Sequence, residues 1–269
     1  MSLEEAICRL APALPAFEPG HVWLAGAGPG AAGCLTIDVV SALSQADAVV
    51  YDALVDASIL SAARTGATLH FAGKRGGDTL SARQDDITAL LVHLARDRLR
   101  VLRLKGGDPC VFGRGGEEAL GLARAGVPFR ILPGVTSAFA ALASAGIPAT
   151  MRGVNKAIVL ATGHAAGSDD DLDWGALART GQPIVVYMGL KNLGEICAAL
   201  LAGGLAPATP AAVIVSATTA SERVLVATLE SVAVRCEAAG LTSPALIVVG
   251  EIVGLRAQLT GDSSQVPSS

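Results

Sequence analysis

The residues best suited to chemistry lie in one glycine-rich stretch, Arg103-Leu-Lys-Gly-Gly-Asp-Pro-Cys-Val-Phe-Gly-Arg-Gly-Gly-Glu117. The apolar run 99–104 predicts a strand that leads into it, and helical spacing resumes after Gly116. Glycine permits a positive φ and lets the backbone approach a ligand closely. A loop of this composition at the end of a strand therefore predicts a ligand-binding loop. The alternative is a tight turn in which Asp108 caps the following segment.

A carboxylate and an amine in two other loops are candidates for proton transfer. Asp52 directly follows the predicted strand 48–51, and Lys74 lies in the run Ala72-Gly-Lys-Arg-Gly-Gly77. A carboxylate that removes a proton from a reacting group is typically worth ~10²–10⁴-fold in rate. Asp52 could instead cap a strand–helix turn. Lys74 could donate a proton or pair with a carboxylate, because lysine is a flexible point charge.

Another glycine pattern suggests a different class of enzyme. Gly28-Pro-Gly-Ala-Ala-Gly33 matches the G-x-G-x-x-G pattern, and Asp52 lies 19 residues beyond Gly33. This arrangement is typical of dinucleotide-binding dehydrogenases, which are therefore the rival prediction. Pro29 weighs against them because it removes an N–H where a pyrophosphate needs donors. A dehydrogenase also leaves the stretches 103–117 and 133–137 unexplained.

Composition and charge narrow the classes of partner. The chain has 269 residues, of which 51% are hydrophobic, yet no uninterrupted apolar run reaches the ~18 residues that span a bilayer. The start lacks the pattern of a signal peptide, and the five cysteines are scattered without metal-ligand spacing, so we expect a cytoplasmic protein without a metal. The net charge of −4 argues against nucleic acid. Residues 64–130 nevertheless carry 12 Lys/Arg against 7 Asp/Glu, which favours a polyanionic ligand.

Apolar runs alternate with helical spacing along the chain, with short connections between them. This rhythm predicts an α/β protein with a mostly parallel sheet in the first half. In the second half two strands follow each other without a long helix, which predicts a mixed sheet. Strands are expected at 21–27, 48–51, 68–71, 99–104, 129–132, 156–161, 183–187, 211–216, 223–228 and 245–249. Helices are expected at 35–45, 57–63, 82–97, 115–125, 136–144, 174–179, 191–202 and 230–239.

Two domains are expected, because Pro133-Gly134 interrupts the alternation. The predicted N-terminal α/β domain spans 20–133 and the C-terminal α/β domain spans 134–258. Residues 1–19 and 259–269 are expected to be flexible termini.

The glycine-rich stretch and a set of further motifs in the same order resemble the tetrapyrrole methylases. The resemblance covers roughly residues 20–256. The further motifs are Val22-Trp-Leu-Ala-Gly-Ala-Gly-Pro-Gly30, Val50-Tyr-Asp-Ala-Leu-Val55, Ala72-Gly-Lys-Arg-Gly-Gly77, Leu132-Pro-Gly-Val-Thr-Ser137, Ala161-Thr-Gly-His164, Val186-Tyr-Met-Gly189 and Ser243-Pro-Ala-Leu-Ile-Val-Val-Gly-Glu251. Each motif is weak by itself, and the ordered set is specific.

The resemblance implies two α/β domains of the tetrapyrrole methylase type with the active site in the cleft between them. It also implies S-adenosyl-L-methionine (SAM) as co-substrate, with the glycine loop on the N-terminal domain and the SAM site completed by the C-terminal domain. The implied SAM-binding residues are Pro29, Gly106, Gly107, Asp108, Val111, Thr136, Ser137, Met188 and Ala217. As a lone residue Met188 would more often lie in the core, and Thr136 and Ser137 could cap a helix.

The same resemblance implies methylation of uroporphyrinogen III at C2 and then C7, giving precorrin-2 for cobalamin or sirohaem synthesis by a homodimer. Asp52 matches the family aspartate regarded as the base, and Lys74 matches the lysine assigned to proton donation. The candidate substrate-binding residues are Arg75, Arg103, Arg114, Arg152 and His164. Since no oxidising and chelating module is recognised, the reaction is expected to stop at precorrin-2.

Three motif positions differ from the family pattern. Ala31 stands where an aspartate is usual, Cys110 where a phenylalanine is usual, and Met151 where a histidine is usual. These differences are compatible with a slower enzyme or an altered substrate preference. The alternatives are a methylase of a later precorrin, a protein that binds SAM or a tetrapyrrole without turnover, and the dehydrogenase.

Overall fold

A computed structural model describes residues 1–73, 84–164 and 172–261. The chain divides into an N-terminal unit, Met1–Ser137, and a C-terminal unit, Ala138–Ser269. Each unit has a five-stranded sheet, so the predicted α/β fold class is confirmed.

The sheet of the N-terminal unit is parallel throughout, as the alternation of strands and helices predicts. Its strands run in the order β3-β2-β4-β1-β5, with β1 and β4 in the centre. The strands are β1 (Val22–Gly26), β2 (Ala48–Tyr51), β3 (Thr68–Phe71), β4 (Val101–Lys105) and β5 (Phe129–Leu132). Residues on both faces of the central strands are buried, which is the pattern expected where helices cover a parallel sheet on both sides. They are apolar apart from Arg103 and Lys105 of β4.

Helices cover both faces of this sheet. The helices are α1 (Leu3–Leu10), α2 (Ile37–Gln45), α3 (Ala57–Leu60), α4 (Gln84–Arg96) and α5 (Gly115–Arg124). Leu43 of α2 and Ile59 of α3 pack in one core cluster with Leu102 and Leu104. On the opposite face α4 and α5 contribute to a second cluster that includes Val101.

The C-terminal unit has the mixed sheet that the sequence predicts. Strands β6 and β7 are parallel, and the remaining pairs in the order β6-β7-β10-β8-β9 are antiparallel. The strands are β6 (Val159–Thr162), β7 (Ile184–Tyr187), β8 (Pro210–Val215), β9 (Arg223–Thr228) and β10 (Ala245–Val249). The helices are α6 (Ser137–Ser144), α7 (Trp174–Arg179), α8 (Leu193–Ala202), α9 (Val232–Ala238) and α10 (Arg256–Thr260).

The structure differs from the sequence prediction at several helix ends and at the N-terminus. Helix α3 is one turn long and ends at Leu60, and a 3₁₀ turn at Leu190–Asn192 precedes α8. Residues 1–19, for which the sequence predicts a flexible terminus, contain helix α1. Ser2 and Glu5 make a reciprocal capping box at the start of α1, which satisfies N–H groups that a short helix otherwise leaves unpaired. Within the described ranges, no helix combines the length and the apolar character needed to cross a membrane.

Candidate functional site

The candidate residues of the N-terminal unit gather at one edge of its sheet. Because all five strands are parallel, the loops that follow them emerge at the same edge, here called the carboxyl edge. Asp52 follows β2, and Gly106 begins the loop after β4. Strands β1 and β4 are neighbours, yet α2 after β1 and α5 after β4 lie in different core clusters on opposite faces. In open parallel sheets, ligands bind outside the carboxyl ends of two neighbouring strands whose following helices lie on opposite faces.

The loops after β1 and β4 are joined backbone to backbone. Gly28 and Gly107 exchange two hydrogen bonds, with N···O distances of 3.1 and 2.7 Å. Gly107 has φ +69°, and a Cβ there would lie 3.2 Å from the Ser137 hydroxyl. A Cβ on Gly134 would collide with the Gly107 carbonyl oxygen. Glycine is therefore required where these loops and the loop after β5 approach each other.

This pairing differs from a dinucleotide-binding turn. In the dinucleotide fold the third glycine opens a helix whose N-terminus faces the pyrophosphate. Here Gly33 lies in a 3₁₀ turn at Ala32–Cys34, and α2 begins only at Ile37, with Thr36 as its N-cap. The N–H of Gly28 is already bonded to Gly107. The G-x-G-x-x-G match therefore lacks the geometry that the dehydrogenase alternative needs.

Asp108 links two of the loops through its carboxylate. Its Oδ1 accepts a hydrogen bond from the N–H of Cys110 at 2.8 Å, and its Oδ2 accepts one from the N–H of Gly134 at 3.1 Å. The turn-capping role that the sequence left open is thus present. Each carboxylate oxygen can accept a second hydrogen bond, so the half-buried side chain also retains capacity for a ligand.

The other candidate SAM residues of this unit differ in exposure. Thr136 is buried, whereas Pro29, Val111 and Ser137 are half-buried. Ser137 and Thr136 lie beside Gly107. The structure therefore places the residues after β1, β4 and β5 next to one another at the carboxyl edge.

Asp52 is held in two ways, which differ in strength. Its Oδ1 accepts a hydrogen bond from the N–H of Leu54 at 3.1 Å, so the side chain caps its own loop. Its Oδ2 lies 4.0 Å from Nη2 of Arg103. The Asp52 side chain keeps 24% of its surface exposed. The carboxylate therefore has one oxygen anchored by the loop and the other beside a cation, and part of its surface can contact a ligand.

Arg103 is buried among charges of the chain itself. Its Nε donates to Oε1 of Glu118 at 3.2 Å, and Nζ of Lys105 donates to the same oxygen at 3.0 Å. Arg103, Lys105 and Glu118 are respectively 2%, 4% and 0% exposed. Together with Asp52 they form a group that we call the charge cluster. Among the described residues, the carboxylate that accepts a hydrogen bond from Arg103 is that of Glu118.

Lys105 and Glu118 are not among the site residues predicted from the sequence. A signal exists for Lys105 and for the need of a buried anion, though not for Glu118 as that anion, because Arg103 and Lys105 alternate with Leu102 and Leu104 in a central strand. Residues that alternate in a strand share a face, so two cations point into one core and need a buried anion. Glu118 on α5 supplies it.

Burial also changes the acidity of Lys105. Desolvation lowers the pKa of its ammonium group, and the charge of Arg103 lowers it further. Glu118 and Asp52 oppose this shift without cancelling it, so the pKa of Lys105 lies below its ordinary value. The cluster therefore contains a lysine that loses its proton more readily than a surface lysine does.

Arg114 lies in a different environment from Arg103. It is exposed, has φ +60° just before α5, and forms an ion pair with Glu117 at 2.6 Å. Lys74 and Arg75 lie outside the described residues. Among the residues that the structure does describe, no three His, Cys, Asp or Glu side chains are grouped so that they could hold a metal ion.

In the C-terminal unit, three candidates share one edge of the mixed sheet. His164, Met188 and Ala217 follow the carboxyl ends of β6, β7 and β8. His164 and Met188 are exposed, whereas Ala217 is buried. Met188 has a φ of +55°, which is uncommon for a residue other than glycine. It is also 52% exposed, although it is apolar. Such strain in an exposed loop is characteristic of binding sites.

Arg152, the remaining candidate of this unit, is exposed in a loop that a buried amide organises. Asn155 accepts a hydrogen bond from the N–H of Met151 and donates to the carbonyl oxygens of Ala149 and Ala157. The loop that carries Arg152 therefore has a fixed core, and the guanidinium extends from it to solvent.

Comparison with known proteins assigns the family. The model of the tetrapyrrole (corrin/porphyrin) methylases matches residues 21–233, so the chain belongs to this family. It is 52% identical over 248 residues to a uroporphyrinogen-III C-methyltransferase of Sinorhizobium sp, covering 91% of this chain and 88% of that protein. A structure of uroporphyrin-III C-methyl transferase from Thermus thermophilus complexed with S-adenosyl homocysteine is 39% identical, with a TM-score of 0.74, and the match covers 87% of this chain and 99% of that one.

A siroheme synthase of Methylococcus capsulatus is 48% identical over 241 residues, which are 89% of this chain. The chain spans about half the length of that relative, 51%. The similarity to siroheme synthases thus concerns one part of those longer proteins.

Proposed function

We propose that the protein is a SAM-dependent C-methyltransferase that methylates uroporphyrinogen III at C2 and then C7 to give precorrin-2. The observation that carries the proposal is the 52% identity, over about nine tenths of both chains, to a protein named for this activity. The 39% identity to the Thermus thermophilus protein supports it. The local excess of basic residues at 64–130 also suits a polycarboxylate substrate.

The residues at the carboxyl edge of the N-terminal sheet fit a SAM site. Gly106 and Gly107 present backbone without side chains, and the Gly107 Cβ position is bounded by the Ser137 hydroxyl. Such a surface admits the close approach of an amino acid or a ribose, which offers several hydrogen-bonding groups. The proposed SAM-binding residues of this unit are Pro29, Gly106, Gly107, Asp108, Val111, Thr136 and Ser137, and those of the C-terminal unit are Met188 and Ala217.

Asp52 is the proposed catalytic base. SAM supplies an activated methyl group, and an electron-rich pyrrole carbon displaces it from sulfur. The methylated ring is then cationic and must lose a proton. Oδ2 of Asp52 can stabilise that cation and take the proton, because Oδ1 is the oxygen that caps the loop. Alignment of the two reactants is the other contribution of the protein and can lower the barrier by up to ~7–11 kcal/mol.

Arginine, lysine and histidine side chains are the proposed contacts for the substrate carboxylates. Arg114 and Arg152 are exposed, and guanidinium groups pair with carboxylates in a bidentate manner. Arg75, His164 and Lys74 complete the proposed set, with Lys74 as proton donor or carboxylate partner. Arg103 belongs to the set less directly, since Glu118 and Asp52 already face it.

Further properties of the family members are proposed for this chain as well. We propose that it acts as a homodimer in the cytoplasm and that its product enters cobalamin or sirohaem synthesis. The relatives support the sirohaem branch, because several are named siroheme synthase.

The test is an anaerobic incubation of the purified protein with uroporphyrinogen III and methyl-labelled SAM, followed by mass analysis of the tetrapyrrole. A gain of two methyl groups supports the proposal, and a gain of one indicates an impaired second step. No transfer to uroporphyrinogen III, with SAM binding confirmed by calorimetry, contradicts it. Transfer to a later precorrin in parallel incubations would then identify the alternative methylase.

A further inference from the structure

Within the charge cluster, Arg103, Lys105 and Glu118 lie next to the proposed base Asp52. Arg103, Lys105 and Glu118 are almost completely buried, and their charges sum with that of Asp52 to zero. Burying charges costs free energy, and apolar side chains of similar volume often stabilise a core as well or better. Such a group in a central strand therefore calls for a role other than stability.

Glu118 is bound asymmetrically. Oε1 alone accepts the hydrogen bonds of Arg103, Lys105 and Gln84, at 3.2, 3.0 and 2.9 Å. Oε2 is buried and has no hydrogen-bond partner among the described residues. A carboxylate that served only to neutralise two cations would gain by using both oxygens. The observed geometry instead fixes one point to which both cations are directed.

The guanidinium of Arg103 is oriented by its hydrogen bond to Oε1 of Glu118 and by contacts with the backbone. Nε donates to Glu118, and Nη1 donates to the carbonyl oxygens of Val50 and Leu104 at 3.4 and 3.2 Å. These contacts set the plane of the guanidinium and leave Nη2 directed towards Oδ2 of Asp52 at 4.0 Å. The group is planar and rigid, so holding two of its nitrogens positions the third.

We propose that Glu118 and Lys105 are positioning residues, which hold Arg103 at a set distance from Asp52 and so keep the Asp52 carboxylate available to the substrate. Glu118 pulls the guanidinium away from Asp52. Lys105 binds the same Oε1 and draws on the charge of Glu118, so that Glu118 does not neutralise Arg103 completely and the guanidinium keeps an attraction to Asp52. The inference rests on the proposed function for the role of Asp52.

The consequence of removing Glu118 follows from this balance. In Glu118→Gln the shape is kept, the negative charge is lost, and Asp52 becomes the carboxylate nearest to Arg103 among the described residues. The ion pair closes, and the base is withdrawn from the substrate. Turnover should fall by about 10- to 100-fold while the KM values for SAM and uroporphyrinogen III stay within about two-fold. Lys105→Met leaves Glu118 to Arg103 alone and so disturbs the balance in the opposite direction. It is the second variant if Glu118→Gln does not fold, and its expected result is a shift of the Asp52 carboxyl resonance opposite in sign to that of Glu118→Gln.

Asp47→Asn is the matched control. Asp47 precedes β2 as Asp52 follows it, and it is also a carboxylate paired with arginines, Arg64 and Arg100. Its substitution breaks an ion pair at the other end of the same strand without touching the charge cluster. A loss of turnover in Glu118→Gln that Asp47→Asn does not reproduce is thus not a general effect of weakening the fold.

The experiment has a spectroscopic part and a kinetic part. The ¹³C resonance of the Asp52 carboxyl, identified by its absence in Asp52→Asn, should move in Glu118→Gln and stay in place in Asp47→Asn. In the Asp52→Asn background, Glu118→Gln should cost less than about two-fold in single-turnover methyl transfer, because its effect acts through Asp52. An unmoved resonance, or the same fold loss in both backgrounds, would overturn the inference. If the wild type does not methylate uroporphyrinogen III, the proposed function fails, and the resonance alone decides whether Glu118 positions Asp52.

Discussion

Strand β2 has an aspartate at each end, and the two carboxylates are bound in opposite ways. Asp47, just before the strand, accepts from the N–H and Nε of Arg100, both at 2.9 Å, and from Nη2 of Arg64 at 2.5 Å. Asp52, just after the strand, is 4.0 Å from the nearest arginine nitrogen among the described residues, Nη2 of Arg103. The amino edge of the sheet thus has a carboxylate whose oxygens are both in close ion pairs, whereas the carboxyl edge has one whose Oδ2 is held only loosely.

The comparison suits Asp47 to stabilising the fold and leaves Asp52 available for the proposed chemistry. Burial alone would raise the pKa of Asp47, but the hydrogen bonds from Arg100 and the charges of Arg100 and Arg64 outweigh it and hold that pKa below its usual value. A carboxylate so strongly stabilised as an anion is a poor proton acceptor. Asp52, which lacks such close pairing, can still change partners during a reaction.

The largest expected effect comes from Asp52→Asn, which tests whether Asp52 is the catalytic base. The amide can still cap the loop through its oxygen but cannot take a proton. Turnover should fall by ~10²–10⁴-fold while SAM affinity is unchanged. Single-turnover transfer of labelled methyl and calorimetric binding of SAM measure the two quantities. Turnover at the wild-type level in this variant would remove Asp52 as the base.

The next effect concerns the glycine pairing at the carboxyl edge. Gly107→Ala places a Cβ 3.2 Å from the Ser137 hydroxyl at φ +69° and should weaken SAM binding by about ten-fold. Gly66→Ala is the control, because Gly66 lies at the amino edge with φ +87° and has no atom within 4 Å of its Cβ position. Both variants have the strain of a positive φ, of order 1 kcal/mol. Equal SAM affinities in the two variants would show that the Gly107 site is not part of the cofactor surface.

The sequence predicts which loops meet at the carboxyl edge better than it predicts the ion pairs of Asp47 and Glu118. Parallel strands bring their following loops to one edge, so Asp52 and Gly106 could be placed together from strand order alone. Glu118 and Asp47 could not, because each acts on an arginine 15 or 53 positions away in another element. Helix α1 was missed for a related reason, since isolated helices of its length are marginal and only its capping box reveals it.

A smaller effect, confined to stability, is expected from Asp47→Asn. Loss of the charge-assisted hydrogen bonds should lower the free energy of unfolding by about 2 kcal/mol at neutral pH, with turnover unchanged. Since the folded-state pKa of Asp47 is depressed, this contribution is complete above the unfolded value of about 3.9 and is lost as the pH falls through the folded value. The difference between wild type and variant should therefore shrink below about pH 4. Urea unfolding at neutral and acidic pH measures it, and a difference that does not change with pH would contradict the ion-pair explanation.

The smallest effect is expected from Ala31→Asp, which restores a carboxylate usual in the family at the carboxyl edge. Ala31 has the extended backbone of an N-cap, φ −67° and ψ 135°, at the start of the 3₁₀ turn Ala32–Cys34, and aspartate is favoured at such positions. The change should therefore not destabilise the fold, and turnover should hold or rise by a factor of about 2 to 5. Ala32→Asp adds the same charge at the next, exposed position and should leave turnover unchanged. A severe loss in Ala31→Asp with normal turnover in Ala32→Asp would mean that this edge has been rebuilt around alanine. The carboxyl edge would then differ from the family pattern in shape as well as in charge, whereas Asp47 at the amino edge would still serve only the fold.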